Sequence, residues 1–231
     1  MARGLFVVGT DTDVGKTAAA AALVRWLVAA GREVGVYKPV ATGIPAADAP
    51  GGDPLLLWEA AGRPLAPEAV CPQVFRAPLS PPRSSRAEGR HVDDHLLRTG
   101  IEAWSGCEIV VVEGAGGLFS PLGKTTLGAD LARDLGLPLV IVDAARLGGI
   151  GRTLCAVRAA RAEGLRVAAC VFSQVSPATT HPAGEEALVQ DTAADLAALV
   201  PDVPVTILWH GARSFDPPID WWRAAMLGIS D

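Results

Sequence analysis

The sequence predicts an α/β protein: a doubly wound, mostly parallel sheet in a single domain spanning residues 1–231. Short apolar runs at 5–8, 34–37, 109–112, 139–142, 167–172 and 205–208 are continuous rather than alternating, as in strands covered on both faces. Between them lie stretches rich in Ala, Leu, Arg and Glu at 18–30, 128–135, 153–163 and 184–199, with helical periodicity. The loops joining the two kinds of segment are short, which favours parallel pairing through crossover helices.

Taken in order, the run at 5–8 meets a glycine-bearing turn and then the helix at 18–30. Gly31 stands where that helix should stop, and Gly136 and Gly164 hold the same place after the helices at 128–135 and 153–163. Residues 44–90 break the rhythm. Nine of the 18 prolines fall between Pro45 and Pro82, so this insert is expected to be mostly loop, with one short helix near 55–61. A tail from about Phe215 is expected to end in a helix near 221–226. No internal repeat or coiled-coil heptad is present.

Composition narrows the function classes. Half of the 231 residues are hydrophobic, which excludes intrinsic disorder, and a net charge of −5 argues against a nucleic-acid-binding surface. Cys71, Cys107, Cys155 and Cys170 fit no metal-binding spacing and read as reduced structural thiols. His91, His95, His181 and His210 are isolated and read as surface residues. No secretory signal pattern is seen, and the apolar stretch at 18–30, broken by Arg25, is too short to span a bilayer. A cytoplasmic protein with no membrane partner is expected.

The most informative stretch is Gly9-Thr10-Asp11-Thr12-Asp13-Val14-Gly15-Lys16-Thr17. It follows a strand and opens a helix, the context of a phosphate-binding loop. Backbone N–H groups around the turn and the positive helix end would cradle an anion, which Asp13, Val14, Gly15 and Ala18 would border. Lys16 would reach the β- and γ-phosphates, and the Thr17 hydroxyl would coordinate Mg²⁺. The sheet is therefore expected to be of the P-loop NTPase type. The competing reading is a tight turn in which Thr12 or Asp13 caps the helix. Five residues rather than four separate Gly9 from Gly15, and the acids Asp11 and Asp13 oppose a polyanion, so a cationic substrate or Mg²⁺ should offset them.

Lys38 stands at the end of the second strand, either neutralising charge in phosphoryl transfer or simply solvated. Asp53 follows two glycines and reads as a helix cap or a metal ligand. Glu113 ends the third strand in Val112-Glu113-Gly114-Ala115-Gly116-Gly117, where a Mg²⁺ ligand is expected, and the glycines allow close backbone approach to a ligand.

Together GTDTDVGKT at 9–17, YKPVATG at 37–43 and VEGAGG at 112–117 resemble the dethiobiotin synthetase family, from the first strand to about residue 210. The resemblance implies a ligase of biotin biosynthesis that consumes ATP, CO₂ and 7,8-diaminononanoate, uses Mg²⁺ and forms a homodimer. It implies catalytic roles for Lys38 and Lys16, and Mg²⁺ binding by Thr17, Asp53 and Glu113. Thr12, Lys38, Thr42 and Gly117 fall on the substrate side, and Asp13, Gly114, Ala115 and Gly116 near the nucleotide. Ser173 and Gln174 take the place of an Asn-Asp pair that reads the base, so a relaxed base preference is expected. Leu208 and Trp209 belong to the base-stacking stretch. Gly151 and Arg152 stand where the family carries Asn and His, in a segment that reaches across a dimer interface. Rival readings are a partitioning-type switch ATPase, the synthetase domain of a corrin-ring amidase, and a small-metabolite kinase.

Overall fold

In the computed structural model, residues 3–176 and 185–226 are described. Among the described residues there are eight strands: β1 (Gly4–Gly9), β2 (Val34–Tyr37), β3 (Ala41–Thr42), β4 (Val74–Phe75), β5 (Ile109–Gly117), β6 (Leu139–Ala144), β7 (Val167–Ser173) and β8 (Val205–Leu208). The helices are α1 (Lys16–Ala29), α2 (Asp53–Ala60), α3 (Pro67–Val70), α4 (Pro81–Ala87), α5 (Asp94–Thr99), α6 (Gly128–Leu135), α7 (Gly149–Ala162), α8 (Glu185–Leu199) and α9 (Trp221–Ala225), with a 3-10 turn at Gly100–Trp104.

Six strands form one sheet in the order β2-β5-β1-β6-β7-β8, and every pairing is parallel. Their carboxyl ends therefore share one edge, where open α/β sheets bind ligands. The register brings Val7 beside Glu113, Gly9 beside Gly117 and Val142, and Ser173 beside Ala144 and Leu208. The continuous apolar runs are explained by burial: every residue of β1, β2 and β6 is buried. Helix α1 buries Ala19 through Val24 and Leu27, because α2 and α9 cover the sides that the sheet does not. Its alanines let those neighbours approach closely. Gly35 has the same use: a Cβ there would lie 2.8 Å from the Trp104 side chain, which packs against β2.

Gly31, Gly136 and Gly164 all have positive φ just past their helices, as expected. The insert is more ordered than its prolines suggest. Three helices, α2, α3 and α4, occupy it, and its strand β4 pairs in parallel with β3 just before it. Pro67 and Pro81 each open a helix, where a missing N–H costs nothing, rather than breaking one. Helix α5, which the sequence reading left unassigned, is capped by Asp93, whose carboxylate accepts from the N–H groups of His95 and Leu96. Helix α7 begins at Gly149, four residues earlier than its apolar pattern, since Gly148 turns the chain with φ 83°. The first residue of the stretch expected at 184–199 lies outside the described residues, as does His181.

Candidate active site

The loop between β1 and α1 separates two cavities. On one side a cavity of about 730 Å³ is lined by Asp13, Gly15, Lys16, Thr17 and Ala18, and on its far wall by Ser173, Gln174, Leu208 and Trp209. Asp53 also reaches it. On the other side a groove of about 760 Å³ is lined by Gly9 through Thr12, by Gly117 through Pro121, and by Gly151, Arg152 and Cys155 of α7.

Neither Thr12 nor Asp13 caps α1; Gly15 does, at φ 87°. A Cβ on Gly15 would lie 2.2 Å from Ser173 Oγ and 2.7 Å from Ser173 Cβ. Only glycine fits there, on conformation and on space. Gly15→Ala is expected to lose nucleotide binding and to destabilise the fold by roughly 1–3 kcal/mol, with Gly15→Ala/Ser173→Gly recovering part of both. Calorimetric titration with ADP and thermal melts check it; a variant that binds normally would refute the packing.

Beneath the loop lies a compact charge cluster. Lys38 Nζ donates to Asp53 Oδ2 at 2.5 Å and to Glu113 Oε1 at 2.5 Å, and Thr17 Oγ1 donates to Glu113 Oε1 at 3.0 Å. The Lys38 and Glu113 side chains are 4% and 0% exposed. Burial by itself would lower the Lys38 pKa, but the charges of Glu113 and Asp53 outweigh it and hold the ammonium above the ordinary lysine range. Burial pushes the Glu113 carboxyl up; Lys38 pulls it back, while the charge of Asp53 adds to the rise. Asp53 runs the other way, since its contact with Lys38 overcomes burial and lowers its pKa. Lys16 Nζ donates to the Asp11 carbonyl at 2.8 Å, and burial draws its pKa below the ordinary value despite nearby carboxylates.

A hard cation fits this cluster. Glu113 Oε2 is buried with no hydrogen-bond partner, and the neighbouring groups, Thr17 Oγ1 and the Asp53 carboxylate, are all oxygens. Among the described residues no group of three or more His, Cys, Asp or Glu could cage a metal. Two carboxylates and a hydroxyl, with substrate phosphates completing the shell, is the donor set that Mg²⁺ takes in phosphoryl-transfer sites.

Other expected residues are placed differently. Val14 is fully buried in the core. Neither cavity is lined by Gly114, Ala115 or Gly116. A Cβ on Gly114 would lie 2.9 Å from the Phe6 ring, and one on Gly116, where φ is +68°, 2.3 Å from Ser120 Oγ. Gly114 and Gly116 are thus required by packing against Phe6 and Ser120, and Gly117 lines the groove. Thr42, half-buried at the end of β3, lines neither cavity. Asp53 is the first residue of α2 rather than its cap. Ser173 packs against Gly15 where it lines the first cavity. All four cysteines are free: Cys71 and Cys170 are buried, and burial raises each thiol to a pKa of about 12. His91 and His95 are exposed, as expected.

Several contributors escaped the sequence reading. Arg25, His210 and Arg213 line the first cavity. Buried Asp143 accepts from Thr10 Oγ1 at 2.6 Å and from Arg152 Nε at 3.1 Å, tying the phosphate loop to α7. Position at the end of β6 was the one available signal for Asp143. Arg152 is thus held by an acid of its own chain.

A fully parallel sheet with a glycine-lysine-threonine loop at its carboxyl edge defines a P-loop NTPase-type protein. The hydrogenase maturation factor HypB of Archaeoglobus fulgidus has the same fold, with a TM-score of 0.53 at 14% identity over 90% of this chain and 82% of that one. So does the cell division protein FtsY of Thermotoga maritima, with a TM-score of 0.52 at 16% identity over 100% of this chain and 69% of the other. A family model described as an AAA domain matches residues 3–207. The chain is 41% identical to an ATP-dependent dethiobiotin synthetase of Rhodopirellula baltica, over 76% of this chain and 74% of that protein. It is 41% identical to one of Anaeromyxobacter dehalogenans, over 89% of each. The chain belongs to the ATP-dependent dethiobiotin synthetase family. These relatives do not favour the partitioning-type switch ATPase.

Proposed function

We propose that the chain is a cytoplasmic ligase, active as one domain and as a homodimer, that carboxylates and cyclises 7,8-diaminononanoate with CO₂ and ATP in biotin biosynthesis. The observation that carries this reading is the phosphate loop as a shared wall: Asp13 and residues 15–18 face one cavity and residues 9–12 face the other. Such a wall suits the meeting of a nucleotide γ-phosphate with a second substrate.

The diamine lies in the groove, where Asp11 and Thr12 meet its cationic and polar end. One amine adds to CO₂ and loses a proton, giving a carbamate. A carbamate oxygen attacks the γ-phosphorus and the bond to ADP breaks, leaving a carbamic–phosphoric anhydride. The neighbouring amine then attacks the carbamoyl carbon, expels phosphate and closes the ureido ring. Lys16 leaves the Asp11 carbonyl to hold the phosphates. Lys38, fixed by two carboxylates, presents its charge to the carbamate and the transferred phosphoryl group. Thr17, Asp53 and Glu113 would hold Mg²⁺, which when bound neutralises phosphate charge.

The dimer is supported by the apolar residues near the groove: Leu147 is 98% exposed and Phe119 49% exposed. The test is phosphate release from ATP and Mg²⁺ with bicarbonate, with and without the diamine, together with mass-spectrometric detection of the ureido product and the sedimenting mass. Diamine-dependent release, ring-closed product and the mass of two chains are expected. Slow release indifferent to the diamine would overturn the reaction, and a single-chain mass would overturn the dimer.

A further inference from the structure

Two walls of the groove, the phosphate loop at residues 9–12 and the first turn of α7, are joined by one buried carboxylate. Asp143, near the end of β6, is 0% exposed. Its Oδ1 accepts from Thr10 Oγ1 at 2.6 Å and from the Ala144 N–H at 2.8 Å. Its Oδ2 accepts from Arg152 Nε at 3.1 Å and from Thr153 Oγ1 at 3.4 Å. Among the described residues Arg152 is the one cation paired with this carboxylate, and a carboxylate shut away from water needs one.

The guanidinium is committed to that contact. Nε is on Asp143, Nη1 donates to the Leu147 carbonyl at 3.2 Å, and Nη2 is buried without a partner. Although Arg152 lines the groove, its head is turned back onto its own wall.

Thr10 is what this arrangement holds. Its backbone N–H donates to the Val142 carbonyl at 2.9 Å and its hydroxyl to Asp143, so main chain and side chain are both tied to the end of β6. The next residue, Asp11, offers the carbonyl on which Lys16 Nζ rests at 2.8 Å. That carbonyl folds back over Gly9, where a Cβ would lie 2.6 Å from it. A rotation at Thr10 therefore carries the Lys16 contact with it. A loop held in its binding geometry takes phosphate without first being ordered, whereas one that is competent part of the time binds more weakly in proportion.

We propose that Asp143 is a positioning residue for the phosphate loop, acting through Thr10, and that Arg152 serves as its counterion and not as a ligand of the second substrate.

The experiment measures ADP affinity by calorimetric titration of the full chain, at a temperature where thermal melts show each variant folded. Thr10→Val, uncharged and nearly isosteric, is expected to weaken ADP about tenfold, the scale of a lost hydrogen bond to a charged group. Thr10→Ser keeps the hydroxyl and should bind within about twofold of wild type. Arg152→Met strands the buried carboxylate and should weaken ADP by at least as much as Thr10→Val. Adding Asp143→Asn removes the stranded charge and leaves an amide oxygen for Thr10, so the double variant should return to within about fivefold of wild type. A merely structural role would lower the melting temperatures and leave the ADP affinity of the folded variants unmoved. Wild-type affinity in Thr10→Val would overturn the proposal, as would a double variant that does not recover. If Arg152→Met does not fold, the Thr10 variants and the double variant still decide.

Diamine-dependent turnover gives a second arm, which rests on the carboxylation reading. The KM for the diamine should be nearly unchanged in the double variant, and a rise of about tenfold or more would make Arg152 a ligand of that substrate. ADP affinities in the expected order from a chain without diamine-dependent turnover would leave Asp143 and Thr10 as assigned and overturn the carboxylation instead.

Discussion

Lys38→Met is expected to reduce diamine-dependent phosphate release at saturating ATP by about 10³-fold, the scale of losing a preorganised charge at a transition state. The same substitution should be costly to the fold. It leaves Glu113, fully buried, and Asp53 facing one another without their shared cation. Removing one partner of a buried ion pair costs about 3–5 kcal/mol. The pH dependence has a definite sign. In the wild type the Lys38 pKa is raised, so its stabilisation is present below the ordinary lysine pKa and is lost only as pH climbs through the higher folded value. Burial already raises Glu113, and without Lys38 it rises further. The folded variant then binds a proton that the unfolded chain releases above the ordinary glutamate pKa, so its stability grows as pH falls. Urea denaturation from pH 8 to pH 5 should show the deficit largest at pH 8 and narrowing toward pH 5. A deficit independent of pH would refute the account of Glu113, and wild-type turnover would refute the role of Lys38.

Glu113→Gln is expected to act on the cation rather than on the fold. The amide keeps one oxygen for Thr17 and Lys38 but loses the charge and the unpartnered Oε2. The Mg²⁺ concentration giving half-maximal phosphate release should rise by about 100-fold or more. Folding should suffer less than in Lys38→Met, since Lys38 retains Asp53. A Mg²⁺ titration of turnover checks the first point and thermal melts the second; an unmoved Mg²⁺ requirement would exclude Glu113 as a ligand.

What the chain disclosed in advance follows from how local each signal is. The phosphate loop and the six main-sheet strands depend on neighbours in sequence, and both were legible. Lys38, Asp53 and Glu113 could be chosen by strand-end position and by resemblance, but not their mutual contact, because the parallel order β2-β5-β1 brings together residues 75 positions apart. The insert misled because proline marks a loop and a helix start equally well, and Pro67 and Pro81 are helix starts. Gly114 is ambiguous for a related reason: glycine serves close approach to a ligand and to a packed ring alike, and the Phe6 ring lies against it. Asp143, joined to Thr10 across 133 positions, had no local signature beyond its place at the end of a strand.

The bridge that Lys38 makes between Asp53 and Glu113 bears on how this centre handles charge. With Lys16 nearby, two ammonium groups stand against two carboxylates, and the formal sum is zero. The protein supplies its own counterion at the place where a divalent ion would be held. A Mg²⁺ held by Thr17, Asp53 and Glu113 would take up carboxylate charge that Lys38 now balances, and so would leave more of the ammonium's charge for a neighbouring phosphoryl group.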